Sequence, residues 1–298
     1  MYIADLLAIE KESVNRRLSG KVQFTIREME VLCRALNISL DDLMEDKKKK
    51  VLPFLEMQTK LYTSSTEEFI ENAYLAATLF ESIANKRSVA GNVFTSLPLE
   101  LTYRLPYLNK YVFYSWGYFY SGSEDFNNYS TWVMPKRLRE ANYKLMNAAA
   151  RFRHQLYIWN PITILSTLKE LQFFRNIYAI NEADVGHIKK ELHKMLDNLE
   201  NIAKVDYVNV NDKQRIDIYI SSINHNVDIS YYITDEGVYT FSNNYFITSN
   251  LHNNKEYRDA ISEWVNSIKK VSTLISESGV KERKLFFNEQ HKYVDDFS

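Results

Sequence analysis

The first stretch of the chain carries apolar residues at helical spacing. Ile3, Leu6 and Leu7 form one stripe of the i, i+3, i+4 kind, and Val14 with Leu18 forms a second. Stripes of this kind predict short amphipathic helices that bury one side in a shared core. We therefore expect the N-terminal segment to fold as a set of short helices.

Further residues set the boundaries of these helices. Gly20 is placed to end the second helix, because glycine tolerates the left-handed backbone at a helix C-terminus. Thr25 and Glu28, three positions apart, form a capping box that starts a third helix. Another cap at 39–42 predicts a last short helix, and the four lysines at 47–50 are typical of a solvated linker.

The middle of the chain, residues 53–204, also has helical spacing. A capping sequence at 64–67 predicts one helix, and a proline suited to a first helical position predicts another over 135–159. Two more helices are expected over 163–176 and 182–203. We therefore expect a helical domain.

In the C-terminal part, the spacing of apolar residues changes from the helical period of 3.6 residues to the strand period of 2 residues. Apolar and polar side chains alternate over 216–221 and again over 227–233, with turn residues at 224–226 and 235–237. This pattern predicts a small antiparallel meander with one solvated face.

A long helix over 255–276 and a final short helix after Gly279 complete the predicted elements. The predicted fold class is mainly α with a small antiparallel sheet, an α+β fold. The predicted divisions are an N-terminal helical domain at 1–46, a basic linker at 47–52, a helical domain at 53–204, and a meander with C-terminal helices at 205–298.

Composition narrows the function classes. Hydrophobic residues make up 45% and charged residues 25% of the chain, which is the range of a folded globular protein. Glycine occurs only seven times, and neither GxGxxG nor GxxxxGK[ST] is present, so a glycine-rich phosphate loop is not expected. Cys33 is the only cysteine, which excludes an intramolecular disulfide and a cysteine-rich zinc site. We therefore expect no cofactor.

The start of the chain, Met1–Asp5, lacks a basic segment followed by an apolar run, so no signal peptide is expected. The most apolar stretch, Tyr103–Tyr120, is interrupted by Arg104, Asn109 and Lys110 and is too short and polar to span a bilayer. These features predict a cytoplasmic protein without a membrane partner.

Charge is unevenly distributed, although the net charge is only −1. Between Lys11 and Arg27, five basic residues stand against Glu12 alone. The following segment, 28–46, carries six acidic residues against Arg34. Local asymmetry of this kind indicates one face suited to phosphate.

The segment Tyr2–Gly20 resembles the helix-turn-helix of phage-repressor-like (XRE-type) regulators. In that family a helix with Ala near its start, here Ala4, is followed by a short turn and a polar helix that ends in Gly. Residues 24–43 are similar to the family's last two helices. The resemblance implies a lambda-repressor-like domain in a transcription regulator that binds double-stranded DNA, with its recognition helix, about 11–19, in the major groove.

The resemblance also implies roles for single residues. Lys11, Glu12 and Arg16 occupy the family's base-facing positions, where Arg pairs with guanine and Glu accepts from cytosine N4. A recognition helix needs such polar groups beside a thin apolar seam. Phosphates or flanking bases are the expected contacts of Glu10, Ser13, Asn15, Arg17 and Lys21.

Two departures from the family pattern affect the expected fold. Arg17 stands where the family often has an apolar residue, so its stem is expected to pack while its head reaches out. The family's first helix precedes the one that begins here at Ile3. The resemblance therefore implies a domain lacking its first helix, with Leu6, Val14 and Leu36 partly facing water unless an upstream segment, the helical domain or a second subunit covers them.

Two binding functions stay open. One is a DNA-binding regulator whose C-terminal region forms a homodimer or senses a small-molecule effector of unidentified chemistry. The alternative is a small-molecule receptor whose ligand site is the aromatic region 87–135. Nine aromatic residues lie between Tyr103 and Tyr120, although such density is more typical of a plain core.

An enzyme is the least favoured function, because no nucleophile, base and phosphate motif converge. His187 and Glu191 lie four apart on one helix face with His193 beyond them, but there is no HExxH, and an exposed helix face is the expected outcome. We expect no catalytic residue and no metal site. The remaining histidines stand alone in the sequence: His154, His225, His252 and His291.

Overall fold

The computed structural model divides into two compact units, Met1–Met57 and Gln58–Ser298, here called the N-terminal and C-terminal units. The cap predicted at 39–42 and the linker predicted at 47–52 lie outside the described residues. The structure describes residues 2–36, 66–84, 88–120, 123–207, 214–225, 228–235, 237–242, 248–252 and 255–298.

The described part of the N-terminal unit consists of α1 (Tyr2–Leu7), α2 (Lys11–Leu18) and α3 (Ile26–Leu36), as the apolar spacing predicts. Helix α1 contacts both α2 and α3. Val14 on α2 and Leu32 on α3 are the buried apolar residues described here. The core of this part is therefore small.

The expectation about exposed apolar residues is confirmed only in part. Leu36 is 44% exposed, as expected, and Leu6 is half-buried. Val14 is only 6% exposed, so the expectation that it faces water is wrong. Helix geometry explains the difference, because Val14 lies on the side of α2 opposite to its polar strip.

The C-terminal unit is mainly helical, in agreement with the predicted class. The two helices expected over 163–176 and 182–203 are found at those bounds. A 3-10 turn also occurs at Glu124–Phe126. Its described helices are α4 (Thr66–Ile83), α5 (Leu99–Thr102), α6 (Pro106–Tyr120), α7 (Lys136–Ala149), α8 (Thr163–Asn176), α9 (Glu182–Ala203), α10 (Lys255–Lys270) and α11 (Val280–Asp296).

One mixed sheet runs through this unit in the order β6-β5-β4-β1-β2-β3-β7. The central strands β1, β2 and β3 are parallel, and the pairs on either side of them are antiparallel. The strands are β1 (Val89–Phe94), β2 (His154–Trp159), β3 (Arg215–Ser221), β4 (Ile229–Ile233), β5 (Val238–Ser242), β6 (Thr248–His252) and β7 (Ser272–Leu274).

The predicted antiparallel meander is wrong in its central pairing. Strand β3 does not pair with β4 but lies between β2 and β7, while β4 pairs with β1 and β5. The hairpin around the turn at 235–237 is present between β4 and β5. The side of β3 that was expected to be solvated is partly covered, because the helix α10 contacts this strand: Asp217 is buried and Tyr219 is half-buried.

The helix predicted over 135–159 starts as expected, since α7 begins directly after Pro135, but its predicted end is wrong, because α7 ends at Ala149 and β2 follows. Strand β1 likewise lies inside the segment predicted as helical. Five consecutive residues of β2, from Gln155 on, are buried, so the strand has no polar alternation to reveal it. Strand β1 pairs with β4, and β2 pairs with β3, so strands from both sides of the predicted boundary at 204/205 belong to one sheet. The boundary therefore does not separate two compact units.

Helices cover both faces of the sheet. On one face, Val93, Ile158 and Tyr231 pack with Ile261 and Val265 of α10. The helix predicted over 255–276 ends at Lys270, and β7 follows it. The other face packs on the helices α4, α6, α8, α9 and α11, through residues that include Phe94, Trp159 and Ile218.

Candidate functional site

Helix α2 has a well-defined C-terminal end. The amide of Lys21 donates to the carbonyl of Arg16 at 2.9 Å, and the amide of Gly20 donates to that of Arg17 at 3.0 Å. Gly20 has φ +75°, the left-handed conformation that this pair of bonds requires. The ending predicted from Gly20 is therefore confirmed, and it places Lys21 directly beyond the helix.

One side of α2 is a continuous polar strip. Lys11, Glu12, Asn15, Arg16 and Ser19 are all exposed. At 3.6 residues per turn these five positions fall within about 140° of the helix circumference. The strip offers two cationic groups, one carboxylate, one amide and one hydroxyl to solvent. Of the other residues predicted to contact DNA, Glu10 and Lys21 are exposed and Ser13 is half-buried.

The opposite side of α2 is fixed to α3 by an ion pair. Arg17 Nε donates to Glu28 Oε2 at 3.1 Å, and Arg17 Nη2 donates to Glu28 Oε1 at 2.9 Å. Both side chains are mostly buried, at 17% and 16% exposed. A guanidinium that meets a carboxylate through two parallel bonds defines the angle between its partners as well as adding attraction.

The expectation that the guanidinium of Arg17 reaches out from the domain is wrong, because this group is held in the ion pair. The guanidinium does not reach out but turns back to Glu28, and its Nη1 also donates to the carbonyl of Ser13 at 3.3 Å. A charged group can replace an apolar one at this half-buried position because Glu28 neutralises it. Pairing between these residues was not anticipated, since they lie on different helices.

Glu28 has a second partner, which the sequence did anticipate. Its carboxylate accepts from the amide of Thr25 at 2.8 Å, and the Thr25 hydroxyl accepts from the amide of Glu28 at 3.2 Å. The predicted capping box is therefore confirmed. The Thr25 amide and then Arg17 lower the pKa of Glu28, so the carboxylate is ionised where it serves both partners.

The turn before α2 contains an unusual backbone. Ala8 has φ +51°, a left-handed conformation that residues other than glycine seldom adopt. The amide of Ile9 donates to the carbonyl of Ala4 at 3.1 Å and closes this turn. Sequence reasoning did not single out Ala8, although it sets the direction in which α2 leaves α1.

The aromatic region proposed as a ligand site contributes several buried rings to the core, although Phe119 and Tyr107 are exposed. Tyr111 and Tyr114 of α6 are almost fully buried. The Tyr114 ring packs edge-on against Tyr129 at 5.4 Å and against Phe174 at 5.1 Å. The Tyr111 hydroxyl donates to Glu170 at 2.7 Å. These rings fill space between helices.

A polar cluster lies instead where β1 and β2 end and β4 begins, here called the carboxyl edge. Asp228 is buried and accepts from the Ser96 amide at 3.2 Å, from the Ser96 hydroxyl, and from the Thr95 hydroxyl at 3.4 Å. Burial raises the pKa of the nearby Glu100 to about 7, and the charge of Asp228 adds to this effect. The two carboxyl groups therefore lie close enough for the charge of Asp228 to act on Glu100.

Asn160 ties the loops of the carboxyl edge together. Its amide donates to the carbonyl of Phe94 at 3.2 Å, and its side-chain Nδ2 donates to the carbonyl of His225 at 3.0 Å. Asn92 of β1 is buried, and its Oδ1 has no hydrogen-bond partner in the described part of the chain. Sequence analysis missed this cluster because its members come from three separate segments, 92–100, 160 and 225–228.

His187 and Glu191, the pair weighed in the sequence as the start of a metal site, each have another partner. His187 stacks on Tyr107 at 4.3 Å, and Glu191 accepts from the Leu108 amide at 2.8 Å. His154 contacts Asp217 at 2.9 Å. Within the described residues, no group of three or more His, Cys, Asp or Glu side chains is arranged to hold a metal ion.

Comparison with known proteins gave no significant match to a protein family, a curated protein or a solved structure. Among the helices that the structure describes, none has both the length and the apolar character needed to cross a membrane.

Proposed function

We propose that this protein is a transcription regulator that binds double-stranded DNA in a sequence-specific way, with α2 as its recognition helix. The observation that carries the proposal is the exposed polar strip of α2, opposite a face fixed to α3 by Arg17 and Glu28. A helix that enters the major groove needs both features, since its base-facing side must be polar and its orientation must be set.

Within the strip, Arg16, Glu12 and Lys11 are the base-reading residues of this proposal. Arg16 has the fork of donors that matches the O6 and N7 acceptors of guanine. Glu12 accepts from cytosine N4, and Lys11 donates to guanine. Because all three side chains are exposed, binding would not require any of them to leave an intramolecular core.

The flanking residues serve to position the helix. Lys21 follows the end of α2 and would contact a phosphate, while Asn15 and Ser13 would donate to phosphate or to flanking bases. Glu10 is directed to flanking bases, because its carboxylate repels phosphate. Arg17 positions α2 through Glu28 rather than contacting DNA.

We further propose that the regulator is a homodimer. One module of this size offers little contact area, and helix-turn-helix proteins gain affinity by placing two copies about 10–10.5 base pairs apart. Light scattering of the full chain would show a dimer at tens of micromolar or on DNA. A monomer under both conditions would contradict this part of the proposal.

Selection of the full chain on a random duplex library tests the proposed function. A motif with two related half-sites is expected to become enriched, and Arg16→Ala is expected to weaken the preference at one position of each half-site. Enrichment of no motif by the wild-type chain would refute the proposal.

A second candidate function is small-molecule sensing at the carboxyl edge rather than within the aromatic region. Open sheets with parallel strands bind ligands outside the carboxyl ends of those strands, where Asp228, Glu100 and Asn160 meet. A thermal-shift screen of amine-containing metabolites tests this candidate, because a bound ligand raises the melting temperature in proportion to RT ln(1 + [L]/Kd). Asn160→Ala should abolish any shift in melting temperature that the screen finds. A screen in which no amine raises the melting temperature would refute the sensing of amines at this edge.

A further inference from the structure

Two histidines that are far apart in the sequence meet head-on between α9 and α11, two helices that pack against each other. Nδ1 of His193 lies 2.7 Å from Nδ1 of His291. The ring planes are 9° from parallel, and the ring centroids are 5.0 Å apart. This is close to the greatest separation of the centroids that a contact between these two nitrogens allows. Both nitrogens therefore lie on the line that joins the centroids, and their lone pairs point at each other.

The other nitrogen of each ring contacts a carboxylate of the opposite helix. His193 Nε2 lies 3.2 Å from Asp295 Oδ1, and His291 Nε2 lies 3.4 Å from Asp197 Oδ1. On both helices the aspartate stands four residues after the histidine, so the arrangement is reciprocal. A carboxylate beside Nε2 favours a proton on Nε2, and in a neutral ring this leaves Nδ1 as an acceptor.

Only one protonation state satisfies the three contacts of the pair. When both rings are neutral, either two acceptor nitrogens face each other or one Nε2 faces its aspartate without a proton. When both rings are charged, two N–H groups face each other. When the two Nδ1 atoms hold one proton between them, one ring donates to the other and each Nε2 donates to its aspartate. The geometry therefore fits one shared proton.

We propose that His193 and His291 share one proton, and that this proton makes the packing of α11 on α9 depend on pH. As the pH rises, the pair loses its proton, and the repulsion between two acceptor nitrogens weakens the contact. As the pH falls, each ring takes up a proton of its own, and the two N–H groups push the rings apart. Because histidine changes its charge between about pH 5 and 8, the contact is strongest inside this range. The device is independent of DNA binding, so its failure would leave the proposed function unaffected.

The other charged groups near the pair have partners elsewhere or face solvent. Besides the two aspartates, the charged side chains within four residues of either histidine are Lys189, Lys190, Glu191, Lys194, Glu289 and Lys292. Lys189 donates to the carbonyl of Phe297, Glu191 accepts from the Leu108 amide, and Glu289 accepts from the Tyr293 hydroxyl. The remaining three lysines are exposed. In the described part of the chain, no other element that packs against α9 or α11 forms an ion pair with either histidine.

Nuclear magnetic resonance of the full wild-type chain with ¹⁵N-labelled histidine tests whether the proton is shared. The nitrogen shifts report how far each Nδ1 and Nε2 is protonated, so this readout does not depend on a variant that folds. The two Nδ1 atoms should together hold one proton over a range of pH before they take up the second, which is the behaviour of coupled groups. In His291→Phe, His193 should instead be protonated in a single step. Single-step protonation of both rings in the wild type would overturn the proposal.

Thermal melting at three pH values tests the effect of the shared proton on the fold. The loss of melting temperature in His291→Phe relative to the wild type should be greatest near about pH 6.5 and smaller at about pH 5 and pH 8. His187→Phe is the matched control on α9, because the His187 ring stacks on Tyr107 instead of a histidine. Its loss should not pass through a maximum. A loss in His291→Phe that is constant, or that changes in one direction only across this range, would overturn the proposal.

Discussion

Arg17 of α2 and Glu28 of α3 form an ion pair with two hydrogen bonds, which joins these helices of the N-terminal unit. The guanidinium and the carboxylate meet at 3.1 and 2.9 Å, although the residues are eleven positions apart. Since Glu28 also caps α3 through Thr25, one carboxylate sets both the start of α3 and the angle at which α2 lies on it. The polar strip of α2 depends on this angle for its direction.

Replacement of Arg17 by methionine should lower the melting temperature of the N-terminal unit. The substitution keeps the apolar stem but leaves the mostly buried carboxylate of Glu28 without its cation. Arg34→Met is the matched control, because Arg34 pairs with Glu30 on the surface of α3 with both side chains exposed, and such pairs contribute little. Circular dichroism melting of both variants checks the prediction, and equal losses would contradict it.

Replacement of Ala8 by glycine should stabilise the protein slightly. A left-handed backbone costs an L-residue about 1–2 kcal/mol, whereas the added freedom of glycine in the unfolded chain costs about 0.5–1 kcal/mol. The expected net gain is therefore between zero and about 1.5 kcal/mol. Ala4→Gly, within α1, is the control and should destabilise by about 0.5–1 kcal/mol. Denaturant unfolding of the two variants would contradict the account if both lost stability equally.

Replacement of Glu100 by glutamine should change how stability depends on pH. Burial raises the pKa of Glu100 in the folded chain from 4.5 to about 7. Its contribution is therefore complete below about pH 4.5 and is lost as the pH rises through 7, because the ionised form is poorly solvated. Glutamine cannot ionise, so Glu100→Gln should gain up to about 3 kcal/mol relative to the wild type at pH 8.

Measuring the free energy of unfolding of the wild type and of Glu100→Gln at pH 5 and at pH 8 tests this prediction. The variant's advantage should shrink toward pH 5, where the wild-type carboxyl is mostly protonated. Glu140→Gln is the control, since Glu140 is on the surface of α7, and its effect should not vary in this way. A pH-independent difference between wild type and Glu100→Gln would contradict a raised pKa.

The sequence correctly predicted helix starts, helix ends and whole helices that are set by residues close together in the chain. The capping box at Thr25 and Glu28, the left-handed Gly20, and the helices at 163–176 and 182–203 all follow from contacts within four residues. Such contacts are encoded by spacing and residue type alone.

Sequence reasoning failed where pairing joins distant segments. Strand β2 is buried on both faces, so its apolar run cannot be told from the end of a helix by periodicity. The register of β1 with β4 depends on segments more than a hundred residues apart, and no local pattern encodes it.

The candidate sites also divide into features set by neighbours in the chain, which could be predicted, and features set by packing between distant segments, which could not. The exposed residues of α2 were predictable because they share one helix. The partners Arg17 and Glu28, and the facing pair His193 and His291, were not, since each depends on packing between helices.

Replacement of Lys21 by alanine should weaken binding to every duplex by a similar factor. Lys21 is exposed just beyond α2, where it would neutralise a phosphate rather than contact a base. The slope of log affinity against log salt concentration should fall by about 1 for each copy of the chain bound. Arg34→Ala on α3 serves as the control, and an equal change of slope there would contradict the assigned contact.

Equilibrium binding of the full chain to the selected duplex tests the central claim most directly. The wild type should prefer this duplex over one with the guanine opposite Arg16 replaced, and Arg16→Ala should lose about 1–3 kcal/mol of affinity together with most of that preference. Arg34→Ala, with the same charge change, should keep the preference. Equal binding of the wild type to both duplexes, or an unchanged preference in Arg16→Ala, would contradict the account.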